Sequence, residues 1–232
     1  MCKPFFLVTI ALVIVSAVAG CSTPSYTLTP NPIPYARYEP TAYYLYLPSD
    51  YSPDRDWPVF VGIHGTGGSG DNCMARWKKY ADEEGFVLIC PSLADEGGGW
   101  YQETGERFLK KILKQVKQEC RVQKRVFLAG FSAGAEFIQG YAFHYPKSIT
   151  GVAVLSAGNY YEPSTLKAKE VPFLVMIGDQ DNPVGIKSAE LFTEVLEQKG
   201  FSVELHVLPG VGHAVTTEAK EMTIEFFRQV SQ

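Results

Sequence analysis

The sequence is poor in the residues that metal and nucleic-acid sites demand. Four histidines are spread over 232 residues, and the five cysteines form neither a C-x-x-C pair nor a Cys/His pair at ligand spacing. No metal site can be read from that set, and no metal or organic cofactor is implied. Positive charge is in slight deficit, with 21 Lys and Arg against 25 Asp and Glu and a formal net charge of −4. Without a basic stripe there is no electrostatic footprint for nucleic acid. Internal repeats are missing, which excludes a solenoid. Glycine (21) and proline (15) are too few for a fibrous or disordered chain. What is present, 46% hydrophobic and 20% charged residues, suits one well-buried core and is short for two domains.

The first twenty residues stand apart. Lys3 precedes an apolar run from Phe5 to Ala19, which is short for a membrane span and reads as a secretory signal. The run ends in Val18-Ala19-Gly20-Cys21, which resembles a bacterial lipobox. That resemblance implies cleavage before Cys21 and lipid on its sulfur and its new amino group. A plain signal peptide or an uncleaved anchor is the alternative. Ser22 to Pro40 is rich in Pro, Ser, Thr and Tyr and reads as a tether. The organisation expected is a signal peptide over 1–20, a lipid-anchored flexible tether over 21–40 and a catalytic domain over 41–232. The location expected is the bacterial cell envelope, facing away from the cytoplasm in the periplasm or at the cell surface. Cys73, Cys90 and Cys120 then remain in the folded domain. They allow one disulfide with a thiol left over, or three buried free thiols.

From Thr41 onward short apolar strands alternate with helical periodicity. Strands are predicted over Ala42–Leu47, Val59–His64, Phe86–Cys90, Val126–Phe131, Gly151–Ser156, Pro172–Ile177 and Ser202–Leu208. Helices are predicted over Met74–Glu84, Glu106–Gln118, Ala133–Tyr145, Ile186–Gln198 and Thr217–Val230. That alternation predicts an α/β fold with a mainly parallel sheet covered on both faces. Such sheets carry their chemistry in the loops beyond the carboxyl ends of the strands.

One of those loops holds Gly130-Phe131-Ser132-Ala133-Gly134, a G-x-S-x-G motif between a strand and a helix. The pattern arises by chance in a chain this long roughly one time in ten. The strand-to-helix context is what gives it weight. Two glycines permit a strained turn that presents the Ser132 hydroxyl at its apex. A serine is a weak nucleophile without a base. His213 follows the last strand, in Pro209-Gly210-Val211-Gly212-His213. His206 alternates within that strand, and His144 ends a helix beside Tyr145-Pro146, so both suit structural roles. The base needs an orienting acid, and two compete in Gly178-Asp179-Gln180-Asp181-Asn182. His64-Gly65-Thr66-Gly67-Gly68 can turn backbone N–H groups inward. Thr66, with Gly67 as the alternative, would pair with Ala133 as an oxyanion hole. Gly65 to Gly70 also fits the dinucleotide pattern G-x-G-x-x-G, but the acid it needs at the end of the next strand is missing, since that strand ends in Cys90-Pro91.

Ser132, an aspartate and His213 follow in the order Ser, Asp, His, which resembles the α/β-hydrolases. Within them, Tyr43 to Cys90 and Arg125 to Ser156 look like the polyhydroxybutyrate-depolymerase and feruloyl-esterase group. Dienelactone hydrolases and small carboxylesterases are similar. The resemblance selects Asp181 over Asp179, because the family loop places its acid three residues after the glycine. It implies a serine esterase working through an acyl-enzyme without a cofactor, on a small-molecule or polymer ester. A monomer is expected, joined to the membrane by its lipid. The short path from Ser156 to Pro172 implies no large lid. Trp100, Tyr101, Asn159, Tyr160 and Tyr161 would lie on nearby loops, and Trp100 and Tyr160 are the expected substrate contacts. A peptidase or thioesterase on the same fold, or an inactive polymer- or glycan-binding lipoprotein, is the competing expectation.

Overall fold

The computed structural model describes residues 31–32, 42–93 and 102–231. Met1 to Gly20, Cys21, Trp100 and Tyr101 therefore lie outside the described residues. The strands are β1 (Asn31–Pro32), β2 (Ala42–Tyr46), β3 (Val59–Ile63), β4 (Val87–Ser92), β5 (Val126–Phe131), β6 (Ile149–Leu155), β7 (Phe173–Gly178) and β8 (Val203–Leu208). The helices are α1 (Gly70–Glu84), α2 (Gln102–Glu119), α3 (Ala133–His144), α4 (Pro183–Gln198) and α5 (Thr217–Val230). One sheet runs in the order β1-β2-β4-β3-β5-β6-β7-β8. Strands β3 to β8 are parallel, and β2 lies antiparallel to β4 at one side. β1, inside the stretch expected to be tether, pairs with β2.

Alternation along the strands sorts the core into two layers. Val59, Val61, Leu128, Val152, Val154 and Val175 meet α2, α3 and α4 through Leu109, Ile112, Ile138 and Phe192. Phe60, Leu88, Phe127, Ala153 and Met176 point the other way, to α1 and α5, where Trp77 and Phe227 wait. Phe60 is the centre of that second layer, with ring centroids 4.9 Å from Trp77, 5.0 Å from Phe86 and 5.1 Å from Phe127. Strands buried on both faces are the reason the sequence shows them as unbroken apolar runs.

Three helices begin earlier than their apolar period predicts; α4 starts at Pro183 and not at Ile186, behind Asn182, whose side chain accepts the Val184 N–H. α1 starts at Gly70 because Ser69 and Asn72 form a capping box, with the Ser69 N–H donating to Asn72 Oδ1 at 3.0 Å. Gly70 is required there, since a Cβ would come within 2.3 Å of the Cys90 carbonyl oxygen. α2 starts at Gln102, four positions before its expected start. Its first turn is polar and is held by Gln102 Nε2 donating to the Phe137 carbonyl at 3.0 Å and to Glu106 Oε1 at 2.7 Å. Cys73, Cys90 and Cys120 are free and buried. Cys73 and Cys90 are hydrogen-bonded to each other, and burial pushes the Cys90 thiol well above the usual range. Among the described residues, no helix is long and apolar enough to cross a membrane.

Candidate active site

Four loops at the carboxyl ends of β3, β5, β7 and β8 converge on Ser132. The residue adopts φ 55° and ψ −122° between β5 and α3, a conformation that a non-glycine residue holds only under strain. The turn is pinned at both ends. The Ser132 N–H donates to the Leu155 carbonyl at 2.9 Å, and its own carbonyl accepts the Glu136 N–H at 3.1 Å. Both glycines of the motif are forced by contact. A Cβ on Gly130 would lie 2.3 Å from the Gly134 oxygen, and one on Gly134 would lie 2.5 Å from the His64 oxygen. The second contact presses the elbow against the end of β3, which brings the His64–Gly68 loop to the serine.

His213 Nε2 is 3.0 Å from Ser132 Oγ, and its Nδ1 is 3.1 and 3.0 Å from the two carboxylate oxygens of Asp181. The histidine side chain is 48% exposed and the Asp181 side chain only 7%, so the ring faces solvent while its partner is enclosed. Asp181 Oδ1 also accepts the Asn182 N–H at 2.7 Å. The two loops that carry these residues are laced together. Asp179 Oδ1 accepts the Gly210 N–H at 2.7 Å, and the Gln180 N–H donates to the Val211 carbonyl at 2.9 Å. A Cβ on Gly178 would fall 1.9 Å from the Val211 oxygen, so only glycine lets the backbones meet. The Phe131 ring supports the imidazole from one side at 4.9 Å between centroids.

His64 is buried and stands apart from this chain of contacts. Its Nδ1 is 2.8 Å from the Gly65 carbonyl, and its Nε2 accepts the Leu93 N–H at 3.1 Å. Burial holds its pKa below the ordinary histidine value, with Arg76 lowering it further and the Gly65 bond opposing. A neutral ring with both nitrogens engaged braces the loop. The dinucleotide reading finds no support, because β4 ends in Cys90-Pro91-Ser92 and carries no acid there.

A cavity of about 550 Å³ opens beside the serine, lined by Thr66, Ser132, Ala133, Glu136, Phe137 and Tyr161 among others. The two expected oxyanion residues thus share a wall with the nucleophile. A second, of about 370 Å³, lies across the imidazole and includes Asp181, His213 and Val184. Tyr160 lines neither of the two. Its ring packs on Phe192 at 5.2 Å, and burial pushes its hydroxyl pKa up. Its neighbour Tyr161 takes the cavity wall instead. Sequence reasoning also missed Glu136; its position one helical turn after Ser132 was the available signal. A larger groove, about 1220 Å³, lies over α2 and the end of α3 and holds Lys110, Lys114, Tyr145, Lys147 and Lys167. None of Ser132, Asp181 and His213 lines it. It is a basic surface, and Arg107, Lys110, Lys111, Lys114 and Lys117 of α2 supply most of its cations.

The dienelactone hydrolase family model matches residues 42–229. A bifunctional acetylxylan esterase/xylanase of Neocallimastix patriciarum is 27% identical over 154 residues, covering 64% of this chain and 22% of that protein. A probable feruloyl esterase C of Aspergillus niger is 29% identical over 126 residues, covering 50% of this chain and 46% of its own length. The chain spans less than half the length of the curated relatives it matches. Among solved structures, LpqC, a poly(3-hydroxybutyrate) depolymerase from Bordetella parapertussis, superposes with a TM-score of 0.66 at 20% identity. That match covers 89% of this chain and 92% of the other and extends the fold likeness to the whole domain.

Proposed function

The chain belongs to the dienelactone hydrolase family, and on that premise we propose that it hydrolyses carboxylic esters through an acyl-enzyme on Ser132. The observation that carries the reading is the unbroken contact path from Ser132 Oγ to His213 Nε2 and from Nδ1 to Asp181, each step near 3.0 Å. Esterase names among the relatives support the choice of bond.

The Asp181 carboxylate accepts Nδ1–H, which leaves Nε2 with its lone pair toward the serine. Nε2 takes the Ser132 proton as Oγ attacks the ester carbonyl. The imidazolium that forms lies against Asp181, whose enclosure strengthens the attraction. The carbonyl oxygen gains negative charge and is received by the backbone N–H groups of Thr66 and Ala133, the latter at the positive end of α3. His213 then protonates the departing alcohol. Water, deprotonated by the same nitrogen, releases the acid and restores the serine.

A fluorophosphonate probe tests activation of the serine directly, because only an activated hydroxyl displaces fluoride. Stoichiometric labelling that maps to Ser132, with turnover of 4-nitrophenyl butyrate, is the expected result. An unlabelled protein that turns over no ester would indicate an inactive binding protein.

We further propose that Cys21 carries lipid and tethers the domain to the outer side of a bacterial membrane, from the lipobox-like Val18-Ala19-Gly20-Cys21. Two or more acyl chains anchor stably, whereas one holds only marginally. Cys21→Ser is expected to release the protein from the membrane fraction or to arrest it as the uncleaved precursor. A Cys21→Ser protein that stays membrane-bound and is still cut before residue 21 would refute the lipidation.

A further inference from the structure

The cavity beside Ser132 is charged on one side only. Glu136 sits one helical turn after the serine, its N–H bonded to the Ser132 carbonyl at 3.1 Å. Its carboxylate is fixed in place. Oε1 accepts the Asn159 N–H at 3.1 Å and Asn159 Nδ2 at 3.2 Å, and Oε2 accepts the Tyr161 hydroxyl at 3.3 Å. Glu162 lines the same cavity. No Lys or Arg does, and the single histidine there, His144, has its Nδ1 2.7 Å from Glu106. The smaller cavity across the imidazole likewise holds Asp181 and no Lys or Arg.

Resting on the reading of Ser132 as nucleophile, we propose that the site takes esters without negative charge near the scissile bond, and that Glu136 sets this preference. A carboxylate on the substrate would approach a fixed carboxylate with no Lys or Arg in either cavity wall to offset it; Arg76, over the Phe131 ring at 5.4 Å, lines neither cavity. The hydrogen bonds to Asn159 and Tyr161 keep Glu136 from swinging away, so the repulsion cannot be relieved by a change of rotamer. Two like charges some 7 Å apart, at an effective dielectric constant of about 40, cost on the order of tenfold in binding. The preferred substrates are neutral esters. Esters of dicarboxylic acids left with one free carboxylate are disfavoured. Glu136 is here a specificity residue, since it touches none of the reacting atoms.

The test compares matched esters on the full chain in a neutral detergent. 4-Nitrophenyl butyrate is paired with mono-4-nitrophenyl succinate, which places a carboxylate on the acyl side. Phenyl butyrate is paired with 4-carboxyphenyl butyrate, which places it on the alcohol side. The quantity read is the neutral-to-anionic ratio of kcat/KM, in the wild type and in Glu136→Gln, so that intrinsic reactivity cancels between proteins. Glutamine keeps acceptor and donor groups for Asn159 and Tyr161 while removing the charge. The ratio is expected to fall about tenfold in Glu136→Gln for at least one pair. In the wild type it should shrink as salt is raised from 0.05 to about 1 M, because the screening length drops to ~3 Å. Glu162→Gln should change it by less than about twofold, since an exposed carboxylate is screened by water. A ratio that Glu136→Gln leaves unchanged in both pairs overturns the proposal while leaving the hydrolase reading intact. Equal losses on neutral and anionic esters make Glu136 a scaffold residue only, and also overturn it. Failure of the wild type to turn over either neutral ester removes the hydrolase reading itself, and this inference with it.

Discussion

Ser132→Ala and His213→Ala are each expected to lower kcat for 4-nitrophenyl butyrate by about 10⁴- to 10⁶-fold, and the double variant to be little worse than either. The non-additivity follows from the contact at 3.0 Å between Oγ and Nε2. Without the base the hydroxyl keeps its proton and is a poor nucleophile. Without the hydroxyl the base has nothing to activate but water. The residual rate would come from the backbone donors at Thr66 and Ala133 and from binding alone. Steady-state kinetics read the loss, and circular dichroism shows whether the variants fold. Folding is expected to survive. His213 is half-exposed, and Ser132→Ala keeps the backbone bonds to Leu155 and Glu136. The elbow conformation is set by Gly130 and Gly134 and not by the hydroxyl. If folded Ser132→Ala hydrolyses the ester near the wild-type rate, the mechanism is wrong at its first step. The G-x-S-x-G match would then be the accident of composition that it can be in any chain of this length.

Much of this arrangement is legible in the sequence because each link depends on local pattern. The central strands β3, β5, β6 and β7 are apolar on both faces, and so appear as short unbroken runs. Strand-to-helix transitions carry glycines where backbones touch. Gly134 against His64 and Gly178 against Val211 are cases where a glycine in a motif answers to a steric demand visible only in three dimensions. What the sequence hides is tertiary in origin. The first turn of α2 has no apolar residue and forms because Gln102 finds the Phe137 carbonyl across a helix–helix contact. Tyr160 and Tyr161 are adjacent and chemically alike. Which of them faces the cavity is decided by the packing of Tyr160 on Phe192 of α4. The basic groove gathers cations from α2 and from the segments that contain Lys147 and Lys167. A net charge of −4 gives no hint of it, although the α2 run from Arg107 to Lys117 carries five of its cations; the fold adds Lys147 and Lys167 to them.

The two aspartates of the β7 loop give the sharpest test of the relay. Asp181→Asn is expected to cost on the order of 10⁴-fold in kcat, and Asp179→Asn far less. Both side chains reach the histidine loop, but they meet different parts of it. Asp181 meets the imidazole, with Nδ1 at 3.0 Å from Oδ2. An asparagine there can turn its NH₂ toward Nδ1. The ring would then carry its proton on Nε2, the atom that must accept from Ser132. The geometry would survive and the chemistry would not. Asp179 meets the backbone, where Oδ1 accepts the Gly210 N–H at 2.7 Å. An asparagine there keeps a carbonyl oxygen for the same bond and loses only the assistance of charge. That bond lies at the exposed surface, and its weakening is worth about 1 kcal/mol or less. Asp179→Asn should therefore appear as a small drop in thermal midpoint and a modest loss of rate, through looser placement of His213. The comparison requires both variants to be folded and assayed on the same ester. A larger loss in Asp179→Asn than in Asp181→Asn would assign the orienting role to Asp179. It would also require the β7 and β8 loops to rearrange in solution, because the Asp179 carboxylate is committed here to Gly210.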